Sequence, residues 1–222
     1  MSQTFKDLQE QSPEDFEKLK RAQRYEELGW YALYVTPLHE RQILEAFTGQ
    51  PDPYKRTGRS ARSKVPALED PIEAYVPIRI ERRKWSDRIK EVPVVLTPGI
   101  VFVRIKLVDR RKLYINDNIR SFLYNKDKQE PVKISDIVMS EFRNAVEYGD
   151  NPTMIEPQKG DTVKIIGGKL EGYIGEIVRV DGAKKFQLRI NDLMAVVVDI
   201  PANQVMRVPK GTPPEYKDER FL

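Results

Sequence analysis

The sequence predicts an α+β fold, in which an N-terminal antiparallel sheet flanked by helices is followed by a small all-β barrel. Up to about residue 148, aromatic and β-branched runs of strand length are interspersed with amphipathic helical segments. After residue 157, short alternating strands surround a glycine-rich turn. The length of 222 residues suits two modest domains joined by a linker.

The first predicted element is a helix from about residue 12 to residue 28, which forms an N-terminal extension over residues 1–29. Ser12 can cap this helix, Pro13 fits its first position, and Gly29 is a natural stop. Apolar residues recur every three positions and form one weak stripe. We expect the extension to pack on the domain, or alternatively to bind a partner.

The domain predicted over residues 30–148 begins with a strand at 30–35 and a helix at 38–47. Residues 48–70 contain five glycine or proline residues and few large apolar ones, which predicts a long exposed loop. Further strands are predicted at 72–80, 91–96 and 100–107, with a hairpin tip over 82–90. Ser135 should cap a helix that runs to about Val146. Residues 149–156 show no period and are predicted as a linker.

The C-terminal segment is predicted to form a barrel of about five strands over residues 157–210, followed by a tail at 211–222. Strand patterns flank a turn with four glycines, at positions 167, 168, 172 and 175. This turn lacks the Gly-Lys-Ser/Thr ending and the following helix of a phosphate-binding loop, so nucleotide binding there is not expected.

The composition argues against most enzyme chemistry. The chain has no cysteine and a single histidine, His39, which excludes disulfides, thiolate nucleophiles and His-pair metal sites. We therefore expect no catalytic residues, no metal and no cofactor. No run approaches the roughly 20 apolar residues of a membrane helix, and residues 1–10 do not resemble a signal peptide, which predicts a cytoplasmic protein without membrane contact.

Positive charge is concentrated between residues 54 and 112, although the whole chain carries only +4. Five lysines and arginines lie within 54–64 without an acid, and two more basic runs occupy 79–90 and 104–112. This distribution suits an acidic polymer, and the alternative for each run is a solvated loop or strand face.

The N-terminal half contains Trp-Tyr-Ala-Leu-Tyr-Val at 30–35, Ile-Glu-Ala-Tyr-Val-Pro at 72–77 and Pro-Gly-Ile-Val-Phe-Val at 98–103. On these residues it resembles transcription elongation factors of the NusG type. Residues 160–178 resemble the KOW motif of the same proteins, with its turn at Gly168, Leu170, Gly172 and Gly175. The Trp-Ser-Asp-Arg segment at 85–88 is similar to the specialised RfaH and UpxY antiterminators, the latter of capsular polysaccharide operons.

The resemblance implies a non-enzymatic factor whose N-terminal domain binds the clamp helices of RNA polymerase and suppresses pausing or termination. It places the polymerase-binding surface at Tyr34, Tyr75, Ile100, Phe102 and Phe122, although Tyr75 and Phe102 could equally be core residues. It also implies contact with non-template DNA or nascent RNA. The residues near the first domain helix and in the basic runs that we assign to this contact are His39, Arg41, Lys55, Arg56, Arg59, Arg62, Arg83, Lys84 and Trp85.

The barrel of such factors recruits a ribosomal protein or a termination factor, or refolds into helices, as in RfaH. Mostly β-branched residues at alternating positions, together with glycines that a helix disfavours, predict that this barrel stays a barrel. An alternative function for the whole chain is an RNA-binding or ribosome-associated module that does not act on polymerase.

Overall fold

The computed structural model describes residues 13–54, 65–115, 117–125, 130–155, 160–190, 194–200 and 204–209. It has the predicted α+β architecture, a sheet with helices followed by a β-rich C-terminal unit. Within these residues, no helix is long and apolar enough to cross a membrane.

The N-terminal half contains three α-helices, one 3₁₀ helix and seven strands among the described residues. In chain order they are α1 (Pro13–Glu26), β1 (Leu28–Val35), α2 (Glu40–Thr48), β2 (Glu73–Tyr75), β3 (Ile78–Lys84), β4 (Ile89–Val95), β5 (Ile100–Lys106), the 3₁₀ helix (Leu107–Leu113), β6 (Ile119–Phe122), β7 (Lys133–Ile134) and α3 (Asp136–Tyr148).

Strand β1 lies at the centre of an antiparallel sheet with the order β2-β5-β1-β6, in which β7 also pairs with β1. Alternate residues of β1 enter two different cores, because successive side chains of a strand point to opposite faces. Tyr31 and Leu33 pack in the core beneath α2, whereas Trp30 and Ala32 pack in the core beneath α3. These two surfaces of the sheet are called the α2 face and the α3 face below.

Helix α1 lies against the 3₁₀ helix and the segment before β7. Arg24 pairs with Glu130 at 3.2 Å, and Lys133 pairs with Glu27 at 2.7 Å. The helix ends at Glu26, two residues earlier than predicted, because Leu28 and Gly29 pair with β5 as the first residues of β1.

The strand predicted at 72–80 is interrupted at Val76 and Pro77. Proline has no N–H for a strand ladder, and the chain leaves the central sheet there. Strands β3 and β4 form a separate two-stranded hairpin. Its pairing continues to Lys84 and Ile89, so the tip spans 85–88 and is shorter than the predicted 82–90.

Helix α3 begins as predicted, since the Ser135 hydroxyl accepts a hydrogen bond from the Val138 amide at 3.2 Å. It continues two residues beyond the expected end, to Tyr148. Helix α2 begins at Glu40 rather than residue 38, because Leu38 has the left-handed φ of 72°. The 3₁₀ helix, β6 and β7 were not predicted, because residues 107–134 lack a clear hydrophobic period.

The C-terminal half is a six-stranded sheet with the order β13-β9-β10-β11-β12-β8. Its strands are β8 (Asp150–Ile155), β9 (Asp161–Ile165), β10 (Ile174–Val180), β11 (Ala183–Arg189), β12 (Ala195–Asp199) and β13 (Val205–Arg207). It is called the barrel below. The described part of the predicted linker is therefore not irregular: 150–155 form β8, whose Thr153, Met154 and Ile155 pair with β12.

Gly175 occupies a position where strand packing leaves no room for a side chain. A Cβ at this residue would lie 2.3 Å from the Gln187 carbonyl oxygen and 2.5 Å from the Phe186 ring. A Cβ at Gly167, by contrast, would meet only the Gln204 side chain at 3.7 Å, an ordinary contact. The two glycines of one motif therefore differ in their tolerance of a methyl group.

We predict that Gly175→Ala destabilises the barrel by about 1–3 kcal/mol, because overpacking displaces β11 or the Phe186 ring. Gly167→Ala is the matched control and should stay close to the parent protein. The measurement is the midpoint of chemical denaturation, followed by far-ultraviolet circular dichroism. Equal midpoints for the two variants would contradict this account of the motif.

Candidate functional site

Four of the five residues predicted to bind polymerase lie on the α3 face. Tyr34 is paired with Ile100, and Tyr75 is paired with Phe102, and directly opposed residues share a face. Phe122 is paired with Leu33 on the α2 face, where it makes an edge contact with Tyr31 at 6.0 Å. Phe122 therefore does not belong to the same surface.

These residues differ in burial, and the difference divides this part of the α3 face into an open end at Tyr34 and a closed end at Phe102. Phe102 is completely buried, and Phe122 is also buried in its own core. Tyr75 and Ile100 are half-buried, whereas Tyr34 is 42% exposed. Of these five predicted residues, Tyr34 is therefore the one with a directly accessible side chain.

Helix α3 covers the closed end through Phe142. The Phe142 ring centroid lies 5.3 Å from that of Phe102 and 5.8 Å from that of Tyr75, both in edge-to-face geometry. Burial raises the pKa of the Tyr75 phenol well above its ordinary value, which keeps the group neutral. The cluster is thus an apolar, uncharged aromatic layer between sheet and helix.

Arg143 fixes the helix to the same face. Its guanidinium carbon lies 4.5 Å from the centre of the Trp30 ring and 5.0 Å from that of Tyr75, and the group pairs with Glu73 at 3.0 Å. Arg143 was not among the residues predicted from the sequence. A helical arginine beside Phe142 gives no sequence signal that distinguishes it from a solvated residue.

Glu40 positions the start of β5. The Gly99 amide donates a 2.6 Å hydrogen bond to the buried Glu40 carboxylate, and the Gly99 carbonyl accepts from the Val35 amide at 2.8 Å. Gly99 has a φ of 78°, which favours glycine, and this turn places Ile100 opposite Tyr34. Glu40 was also missed, because an acid in the first turn of a helix ordinarily complements the helix dipole.

The barrel packs against α3, so the closed end of the α3 face belongs to a core that both halves share. Apolar residues of the barrel, including Phe186 and Val196, are in the same cluster as Phe102 and Phe142. At the rim, Asn144 donates a 2.6 Å hydrogen bond to the Tyr173 hydroxyl. The Lys169 ammonium lies 5.2 Å from the centre of the Tyr148 ring.

The KOW turn contributes to the packing of the barrel against α3. Leu170 is 3% exposed and belongs to the shared cluster. Gly168 and Gly172 have φ values of 85° and 94°, which permit the tight turn between β9 and β10.

The nucleic-acid candidates on α2 already have protein partners. The His39 Nδ1 lies 3.2 Å from the Pro37 carbonyl oxygen. Arg41 pairs with Asp52, and its guanidinium carbon lies 5.8 Å from the centre of the Tyr54 ring. These contacts tie α2 to the start of the following loop. Lys55, Arg56, Arg59 and Arg62 lie outside the described residues.

The β3–β4 hairpin presents the other candidates at its tip and in the last residues of β3 before the tip. Trp85 is 50% exposed, with the Lys90 ammonium 5.2 Å from its ring centre, and Lys84 is exposed beside it. Arg83 pairs with Glu81 at 3.0 Å, and hydrogen bonds from Arg79 and Arg83 lower the pKa of the Glu81 carboxyl. The tip therefore combines an accessible aromatic ring with cations of which Lys84 and Lys90 have no acidic partner among the described residues.

Comparisons with known proteins agree with this arrangement of two units. The family model described as transcription termination factor nusG matches residues 28–143, and the KOW motif model matches residues 159–199. No curated protein sequence matches the chain significantly.

The solved structures that are similar to the chain include a bacterial NusG and an Spt4:Spt5 complex. One, titled "Domain interaction in Thermotoga maritima NusG", is 19% identical with a TM-score of 0.45, and the match covers 83% of this chain and 99% of that one. Conformations A and B of the MjSpt4:Spt5 complex are 15% and 13% identical with TM-scores of 0.25 and 0.24. Those two matches cover 82% and 85% of this chain and 99% of each matched chain.

The nusG model covers more than half of the 222 residues, and a KOW match follows it in the barrel. The chain therefore belongs to the NusG family of transcription factors.

Proposed function

We propose that this protein is a non-enzymatic transcription elongation regulator that binds the clamp helices of RNA polymerase through the open end of the α3 face. The observation that carries the proposal is the accessible Tyr34 beside half-buried Ile100, at the edge of the Phe102 aromatic layer. An exposed aromatic ring with apolar support behind it is a typical anchor for a protein partner.

We further propose that the factor is an operon-specific antiterminator, of the kind that acts on polysaccharide operons. The support is the exposed Trp-Ser-Asp-Arg tip at 85–88, which carries the resemblance to the specialised factors. In this proposal the tip contacts the non-template DNA strand, because an exposed ring can stack on a base while neighbouring cations bind phosphates. Nascent RNA is the alternative strand.

For the two halves, we propose a domain boundary at Gly149, between α3 and β8. The barrel then recruits a second partner, a ribosomal protein or a termination factor, while keeping its β structure. The competing function, an RNA-binding or ribosome-associated module, would use the barrel and the basic hairpin without polymerase.

We predict that Tyr34→Asp weakens binding to purified RNA polymerase about tenfold or more, because it places a charge at the centre of the apolar contact. Tyr124→Asp is the matched control: Tyr124 has the same 42% exposure but lies outside the named strands, in an isolated bridge with Pro131. Affinity can be measured by biolayer interferometry with each folded variant.

Equal affinities for the two variants would contradict the assigned surface. If the parent protein binds ribosomal RNA tightly and does not bind polymerase, the competing function is correct.

We predict that the double variant Arg83→Gln, Lys84→Gln reduces the salt dependence of binding to single-stranded DNA. The slope of log affinity against log salt is negative, and each lost phosphate contact should make it less negative by about 0.7. The control removes two exposed barrel cations instead, in Arg179→Gln, Lys184→Gln. Fluorescence anisotropy over a salt series gives the slopes, and a tip variant with the parental slope would exclude the tip from the interface.

A further inference from the structure

We infer that β8 is a releasable strand that sets how far the barrel can move from α3. Paired with β12, it holds the barrel beside the helix, and unpaired, it becomes a tether. This inference concerns the chain alone and does not depend on binding to polymerase.

The connection between the two halves is unusually short while β8 is paired. Helix α3 ends at Tyr148 and β8 begins at Asp150, so Gly149 alone separates them. A Cβ on Gly149 would lie 2.4 Å from the Ala145 carbonyl oxygen and 2.5 Å from a Val198 methyl group. The backbone at this point is therefore enclosed between α3 and β12, which limits rotation about it.

Strand β8 is divided between the two halves. Its C-terminal part pairs with β12, through Thr153, Met154 and Ile155. Its N-terminal part contacts the base of the hairpin, where Arg79 donates a 3.2 Å hydrogen bond to the Pro152 carbonyl oxygen. A segment held from both sides must lose one set of contacts when the halves separate.

The pairing of β8 has the features of a weak ladder. It is an edge strand, only three consecutive residues are in regular register with β12, and the register shifts between Val197 and Asp199. Pro152 cannot donate to the ladder, and Asn151 has the left-handed φ of 47°. Strands β10 and β11, by contrast, pair through five consecutive residues around a Gly182 turn.

A hydrogen bond between side chains supplements the short pairing of β8 with β12. The Asn151 amide donates a 2.9 Å hydrogen bond to the Asp199 carboxylate, which also pairs with Lys185 at 3.2 Å. Loss of this bond therefore favours release without altering the barrel core.

Release would change the reach of the barrel by an amount that the chain geometry fixes. After release, the twelve residues 149–160 would join α3 to β9, and at about 3.4 Å per residue they can span at most about 41 Å. With β8 paired, the free connection is the single residue Gly149, about 3.4 Å long. The same sequence therefore provides a tightly held barrel and a mobile one.

Native-state hydrogen exchange, measured by NMR on the full-length chain, tests the release. The hydrogen-bonded amides between β8 and β12 should exchange at least a hundredfold faster than those between β10 and β11, in a separate opening step. Equal protection of the two sets would show that β8 opens only with the barrel and would overturn the inference. Asn151→Gly, which suits the left-handed φ and removes the bond to Asp199, should raise β8 exchange about fivefold.

An engineered disulfide between β8 and β12, called the staple below, tests whether the pairing of β8 limits the movement of the barrel. Since the chain has no cysteine, Thr153→Cys, Val197→Cys introduces one possible bridge between paired residues. The staple is added to the variant Asn144→Ala, Tyr148→Ala, in which two rim contacts between α3 and the barrel are removed. NMR relaxation then reports the tumbling of each half. We expect independent tumbling after reduction and joint tumbling after oxidation.

The reduced form of the same protein is the control for the substitutions, and Met154→Cys, Val196→Cys is a second staple if the first variant does not fold. Identical interdomain motion in the oxidised and reduced forms would overturn the inference.

Discussion

Strand β1 is buried on both faces, and the rest of the N-terminal half is arranged around the need to cover each of them. Tyr31 and Leu33 require the α2 core, whereas Trp30 and Ala32 require the α3 core. A one-residue shift of β1 against β5 would exchange the two sets of side chains, so the register of seven paired residues is strongly determined. The position of Tyr34 opposite Ile100 follows from this register.

The α3 core is not completed by the N-terminal half alone. Phe142 fills the space above Phe102, but the cluster continues into the barrel through residues such as Phe186. Apolar burial of this kind contributes about 25 cal/mol for each Å² removed from water, so barrel docking is favourable without any charged contact. The rim contacts of Asn144 and Lys169 then fix the orientation of the docked barrel. Any partner that uses more of the α3 face than Tyr34 must compete with this docking.

The sequence was sufficient for elements with a strong local signal. The aromatic run at 30–35, the Ser135 cap and the glycine turn of the barrel each have a short-range physical cause, and all three appear in the structure. Features that depend on distant partners were not predictable. The sequence carries no signal that assigns Phe122 and Phe102 to different surfaces, yet the pairing of Phe122 with Leu33 places it in the opposite core. Strand β8 has no period of its own because its extended form depends on β12, more than 40 residues later.

The same reasoning separates the two uses of glycine in the barrel. Gly168 and Gly172 provide turn conformations, which many loops could supply. Gly175 instead allows the β11 backbone and the Phe186 ring to approach β10 to a distance that any side chain would prevent. This close contact exists only when the strands are paired, so a helical form would lose it. Each glycine inside such a helix would also destabilise it by about 1 kcal/mol. The close packing at Gly175 and the β-branched residues around it therefore both favour the barrel over a helical form.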